Sequence, residues 1–271
     1  MASDELTSRP GPRPGRETVL AGPGRRRLVV VALVLAALNL RPAVTSLGPV
    51  LEEVRDSLAM SGTVAGLLTS IPAACFAAIG STAPRLARRY GPSGAVAVGA
   101  LLLTAGLVLR PLVTSAVLFV ALSALALAGI ALANVLLPAV VKQYFPDRVG
   151  AMTGLYSMAL NAGASTAAAV TVPVTEAFGG DWRFGLGAWA VLAAMAVPPW
   201  LAFARRARAT GTGGGAGASA APKPPSGVAL TRDPTAWALV AYFGLQASSA
   251  YIIIGWLAQV FRDAGLSAGT A

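Results

Sequence analysis

Residues 25–51 read RRRLVVVALVLAALNLRPAVTSLGPVL. Three arginines abut an apolar run close to the ~20 residues that a helix needs to cross a bilayer. Arg41 and Pro42 interrupt the run, and apolar character resumes through Val50 and Leu51. In hydrocarbon every backbone N–H and C=O must be bonded within its own segment or to a neighbour, so such a run is a helix. The resumption beyond Arg41 also argues against a cleaved signal peptide, although Ala43-Val44-Thr45 has the small residues of a weak cleavage site.

The same pattern recurs along the chain. Of 271 residues, 55% are hydrophobic and 12% charged, where soluble domains carry about 25% charged residues. Apolar runs predict seven membrane helices: Leu28–Leu51, Thr63–Ala83, Gly94–Val113, Ala116–Val141, Val149–Val174, Phe184–Phe203 and Thr235–Val260. No short alternating segments of the barrel type appear. The expected organisation is a disordered cytoplasmic tail over 1–27, a six-helix transmembrane bundle over 28–204, a cytoplasmic linker over 205–234 with a Gly/Ala/Pro/Ser core, and a seventh helix with its following loop over 235–271. The fold class is an all-α membrane protein. Six helices, a long basic linker and one more helix are the opening of a six-plus-six plan, so the sequence is read as truncated from twelve helices; a true seven-helix protein is the alternative.

Lys and Arg set the orientation. With the N-terminus inside, the inner segments hold sixteen basic residues and the outer loops four, namely Arg55, Arg110, Arg183 and Arg262. This points to a multi-pass protein of the cytoplasmic membrane. A net charge of +10 dealt out between apolar runs anchors helices in lipid and argues against nucleic acid as a partner. With no His and one Cys, neither an ordinary zinc site nor a His-based catalytic triad can be built. There is no P-loop motif, and nothing calls for a cofactor. The chain is not read as an enzyme.

Arg41 is the remaining basic residue. A charge at lipid depth costs about 2.5–3.5 kcal/mol on insertion scales and is tolerated where it faces a bundle interior or a water-filled cavity. Pro42 deletes one helical hydrogen bond beside it, as in the broken helices of transporters. The competing explanation is a side chain that snorkels to the outer surface, which does not account for Asn39, Thr45 and Ser46 crowding the same stretch. All eleven acids fall in loops or at helix ends, so Arg41 is left to carbonyl and amide oxygens, a carboxylate from elsewhere, or a substrate with acceptor oxygens. No carboxylate stands at membrane depth to relay protons, which leaves the coupling ion open. Asn134, four residues before Pro138, and Tyr156, Asn161 and Gln246 are further candidate substrate contacts beside Asn39 and Thr45. Ordinary interhelical hydrogen bonding is the bland alternative for each. Gly129, Ala133, Ala159 and Gly163 fit close helix packing.

Taken together, Asn39-Leu40-Arg41-Pro42-Ala43, Arg85-Leu86-Ala87-Arg88-Arg89-Tyr90-Gly91, Asn134-Val135-Leu136-Leu137-Pro138, Phe145-Pro146-Asp147-Arg148, Met152-Thr153-Gly154-Leu155-Tyr156 and Gly244-Leu245-Gln246 resemble the major facilitator superfamily, within it the cyanate/2-nitroimidazole permease family. The resemblance covers the N-terminal half plus helix seven. It departs from the superfamily's general loop motif, where an Asp stands three residues before the Gly and this chain has Arg88. It implies two six-helix bundles, alternating access about a central site, and a small polar or anionic solute as substrate. A receptor or scaffold that keeps the transporter shell without transporting is the competing class.

Overall fold

The computed structural model describes residues 23–209 and 233–266. Among these, nine helices succeed one another with no strand: α1 (Pro23–Leu38), α2 (Pro42–Thr45), α3 (Leu51–Ser57), α4 (Gly62–Tyr90), α5 (Pro92–Leu109), α6 (Ala116–Tyr144), α7 (Val149–Ala177), α8 (Trp182–Ala209) and α9 (Pro234–Asp263). The short α1, α2 and α3 share the first apolar run, linked by a turn at Asn39–Arg41 and a 3-10 turn over Gly48–Val50. Five spans, Arg26–Ser57, Gly62–Tyr90, Pro92–Leu112, Ala116–Tyr144 and Trp182–Ala207, are long and apolar enough to cross a membrane. This is a multi-pass membrane architecture. The tail expected over 1–27 and the linker expected over 205–234 lie for the most part outside the described residues.

Local chemistry sets the helix ends. Ser61 precedes α4 in an extended conformation and its hydroxyl accepts from the Val64 N–H at 3.3 Å, which satisfies one of the free donors at a helix start. Arg85 to Tyr90, expected as a loop, instead continue α4 as its last turns. Basic side chains are favourable there because the helix dipole leaves partial negative charge at its C-terminus. The connection to α5 is Gly91 alone, at φ +74. Glycine tolerates that left-handed backbone and Pro92 restarts the helix behind it.

Close approaches build the bundle. α5 packs on α6 and α8, α4 on α6, and α1 on α7 and α8. A Cβ on Gly129 would overlap the Gly99 carbonyl oxygen, and one on Gly106 would lie 2.7 Å from the Ala126 backbone. The expectation that Gly129 and Gly163 serve packing is met, because α5 and α6 meet backbone to backbone and α7 meets helix one at Gly163. Buried polar groups pin the rest. Trp200 Nε1 donates to the Ala32 carbonyl at 3.1 Å, Trp189 Nε1 to Thr171 Oγ1 at 3.0 Å, and the Ser93 and Tyr144 hydroxyls share a 3.1 Å bond. In an apolar medium such groups are costly to leave unpaired.

Three helices, α4, α7 and α9, are covered less. Only 18% of the apolar stretch of α4 is buried, against 50% for α6, and its open face carries Ser70, Ala73, Ala74, Ala77, Ala78, Ser81 and Thr82. α7 likewise presents Ala151, Gly154, Asn161, Ala162, Ser165 and Thr166. α9 touches the α1–α3 segment and α4 and exposes Trp237, Leu239, Phe243 and Ile252. Its C-terminal end is tied down: Arg262 Nη2 lies 2.8 Å from Glu52 and 3.1 Å from Glu53, and Nη1 donates to the Pro49 carbonyl at 3.1 Å.

Candidate functional site

The first apolar run is a broken helix. Asn39 and Leu40 donate back to Ala36 and Ala37 at 3.1 Å each, three residues away and not four, so the α-helical ladder has ended. Pro42 has no N–H to give the Leu38 carbonyl. That carbonyl points at α7, where Gly163 is the residue that lets it approach. Arg41 stands at the break, as the residue before α2. Its carbonyl accepts from Val44 N at 2.9 Å and Thr45 N at 3.0 Å. Its side chain is half-buried, and among the described residues the guanidinium has no hydrogen-bond or ion-pair partner.

The other candidates separate by environment. Asn39 is buried and its Nδ2 donates to two carbonyls, Leu35 at 2.8 Å and Leu192 at 3.1 Å. Both of its amide hydrogens are committed, and the second fastens helix one to α8. Thr45 is buried and its hydroxyl donates to the Arg41 carbonyl at 3.2 Å, which closes the α2 turn. Asn134, on α6, is half-buried with no partner for its amide among the described residues. Pro138 also leaves the Asn134 carbonyl without its helical donor. Tyr156, on α7, is partly buried and packs against the main apolar core. Asn161 is exposed on α7 and donates to the Ser157 carbonyl one turn back at 3.1 Å. Gln246 is exposed on α9. Apart from the Thr45–Arg41 bond, no hydrogen bond joins any two of these seven among the described residues.

One residue was assigned to the wrong environment. Arg110, expected in an outer loop, is 1% exposed in the 3-10 turn that ends α5. Its Nη1 donates to the Ala43 carbonyl at 3.1 Å, sixty-seven residues earlier in the chain. The sequence signal that could have found it is its place at the end of an unbroken apolar run, with Pro111 and Leu112 extending that run instead of a polar turn.

A broken first helix, an unpaired arginine at the break, a glycine-mediated crossing to α7 and small-residue faces on α4 and α7 are features of membrane transport bundles. Residues 29–271 match the Major Facilitator Superfamily. The chain belongs to that superfamily. It is 33% identical over 243 residues to the uncharacterized transporter YycB of Bacillus subtilis (strain 168), covering 90% of this chain and 58% of that protein. It is 30% identical over 250 residues to the 2-nitroimidazole transporter of Escherichia coli (strain K12), covering 92% of this chain and 61% of the relative. The cyanate transport protein CynX of the same organism is 31% identical over 240 residues, with 89% and 60% covered. The chain thus spans about three fifths of the length of these curated relatives. In fold it resembles the crystal structure of tetrameric PepTSo2, with a TM-score of 0.55 and 17% identity over 88% of this chain and 52% of that one.

Proposed function

We propose that the protein is a secondary transporter that moves a small polar or anionic solute across the cytoplasmic membrane by alternating access, with its N-terminus inside. The observation that carries this reading is the half-buried, unpaired Arg41 guanidinium at the helix-one break. Five N–H donors in a rigid fork suit a carboxylate-like or other oxygen-rich anion, and a charge at that depth is retained where it meets a partner or a water-filled path. Asn134 supports it as a second uncommitted donor beside a proline irregularity. Asn39 and Thr45 serve the site by holding the break in shape. Tyr156, Asn161 and Gln246 are proposed as contacts from the α7 and α9 walls.

The small-residue faces of α4 and α7 are of the kind on which further membrane helices pack. The relatives are longer than this chain, which suits a second bundle meeting these faces around a central path. Rocking of two bundles about a fixed site near mid-membrane then gives access from either side.

The test is uptake of radiolabelled cyanate and of 2-nitroimidazole, the solutes named for two relatives, by cells expressing the complete reading frame. Arg41→Ala is expected to abolish uptake with membrane insertion unchanged, and Arg41→Lys to restore part of it. Full uptake by Arg41→Ala removes this residue from the mechanism.

A further inference from the structure

A second guanidinium, away from the Arg41 side chain, sits in a chamber of its own. A cavity of about 30 Å³ is lined by Arg110 and Ser123, with Ala43, Leu47, Leu68 and Leu127 among its apolar walls. The space is roomy enough to admit a small solvent-sized body. Helix one beyond its break, α4, α6 and the end of α5 enclose it.

The polar inventory of this chamber does not balance. Arg110 is 1% exposed and Ser123 is 3% exposed. Arg110 Nη1 is used on the Ala43 carbonyl, whereas Nε and Nη2 have no partner, nor has the Ser123 hydroxyl. No carboxylate pairs with Arg110 among the described residues. A guanidinium cannot shed its charge by deprotonation in a protein, and a buried cation without a counter-charge is among the most costly groups a fold can hold. Nearly every buried polar atom in a folded protein finds a partner. Three donors around a small space, two of them on one fully charged guanidinium, define what that partner must be.

We propose that this cavity is an internal binding site for one small monovalent inorganic anion of the size of a halide, held by Arg110 Nε and Nη2 and by the Ser123 hydroxyl. The apolar walls lower the local dielectric, which strengthens the attraction between guanidinium and anion. They also offer nothing to replace a strongly held hydration shell, so weakly hydrated anions are favoured and sulfate or gluconate are excluded by size. The site does not depend on the transport reading of Arg41. Its occupant ties the end of α5 to α6 and, through Ala43, to the segment just beyond the helix-one break.

The experiment uses the full chain purified in detergent. Its thermal unfolding is followed in sodium gluconate with added chloride or bromide, and crystals grown in bromide are measured at the bromine absorption edge. Chloride and bromide are each expected to raise the midpoint by on the order of 5 °C at a hundredfold excess over the dissociation constant. The anomalous peak is expected between Arg110 and Ser123. Arg110→Gln is expected to lose the halide-dependent rise, and Ser123→Ala to weaken binding by about tenfold. Arg88→Gln, an exposed basic residue at the opposite end of α4, is expected to keep it. Should Arg110→Gln fail to fold, Ser123→Ala and the bromide peak carry the test. Equal midpoints in gluconate and chloride, an undiminished rise in Arg110→Gln, or no bromide peak within reach of Arg110 would each overturn the proposal.

Discussion

Arg41 and Arg110 invite comparison, since both are arginines followed by proline near the ends of apolar runs. The first lies at a genuine interruption of its helix; its side chain is half-buried and uncommitted. The second follows α5 without a break in apolar character and is enclosed almost completely, with one of its nitrogens spent on a carbonyl from another helix. Proline after arginine therefore does not say where the charge ends up. That is decided by what packs against the turn. α7 meets the break at Leu38, where Gly163 brings only backbone, whereas the Arg110 turn is packed on by α5, α6 and α8 and bonded to Ala43.

The sharpest way to break this contrast is to fill the space at the helix-one break. Gly163→Leu puts a side chain where the Leu38 carbonyl now sits, and overpacking of this kind costs typically about 1–3 kcal/mol, occasionally more. The variant is expected to lose monodispersity in size-exclusion chromatography or to melt far lower. A wild-type melting profile would mean that α7 does not seat on the break. Next comes Asn39→Ala, which deletes donors to the Leu35 and Leu192 carbonyls. It is expected to cost about 1–2 kcal/mol, seen in the thermal midpoint, with the solute KM of folded protein little changed. A raised KM at unchanged stability would return Asn39 to direct substrate contact. Arg110→Met, measured in gluconate alone, replaces an unpaired buried cation with an apolar side chain of similar length. Stability is expected to hold or rise by about 1 kcal/mol, and Arg41→Met is expected to leave it within about 0.5 kcal/mol. If Arg110→Met is the more damaging of the two in that medium, its charge is compensated by something other than a small anion. The smallest effect belongs to the C-terminal tie of α9. Glu53→Gln weakens an ion pair that is partly open to solvent, worth at most about 1 kcal/mol. The loss is expected at low ionic strength and to fade by 0.5 M salt, because screening lengths shorten with concentration.

The helices were legible because the bilayer leaves the backbone one economical choice, and because their stops are written in single residues. Gly91-Pro92, Ser61 and the Gly179-Gly180 pair, both at positive φ, each mark a boundary that the apolar runs alone place only approximately. The break in helix one was legible from Pro42 for the same local reason. The site was less so. Asn39 reads as an available donor until Leu192, 153 residues away, takes one of its hydrogens. Arg110 reads as a surface anchor until Ala43 meets it. Arg85, Arg88 and Arg89 read as a loop by charge, although basic residues suit the last turns of a helix equally well. For Asn39 and Arg110 the misreading concerns a partner distant in the chain, about which local spacing carries no information.

The single glycine between α4 and α5 has a mechanical implication. A joint one residue long contains no spare chain, and α5 is itself seated on α6 at Gly99 and Gly129. Helix α4 therefore cannot slide along its own axis independently of its neighbours. A shift of its C-terminal end is passed within one peptide unit to the start of α5, and from there to the α6 backbone that meets α5 at Gly99 and Gly129.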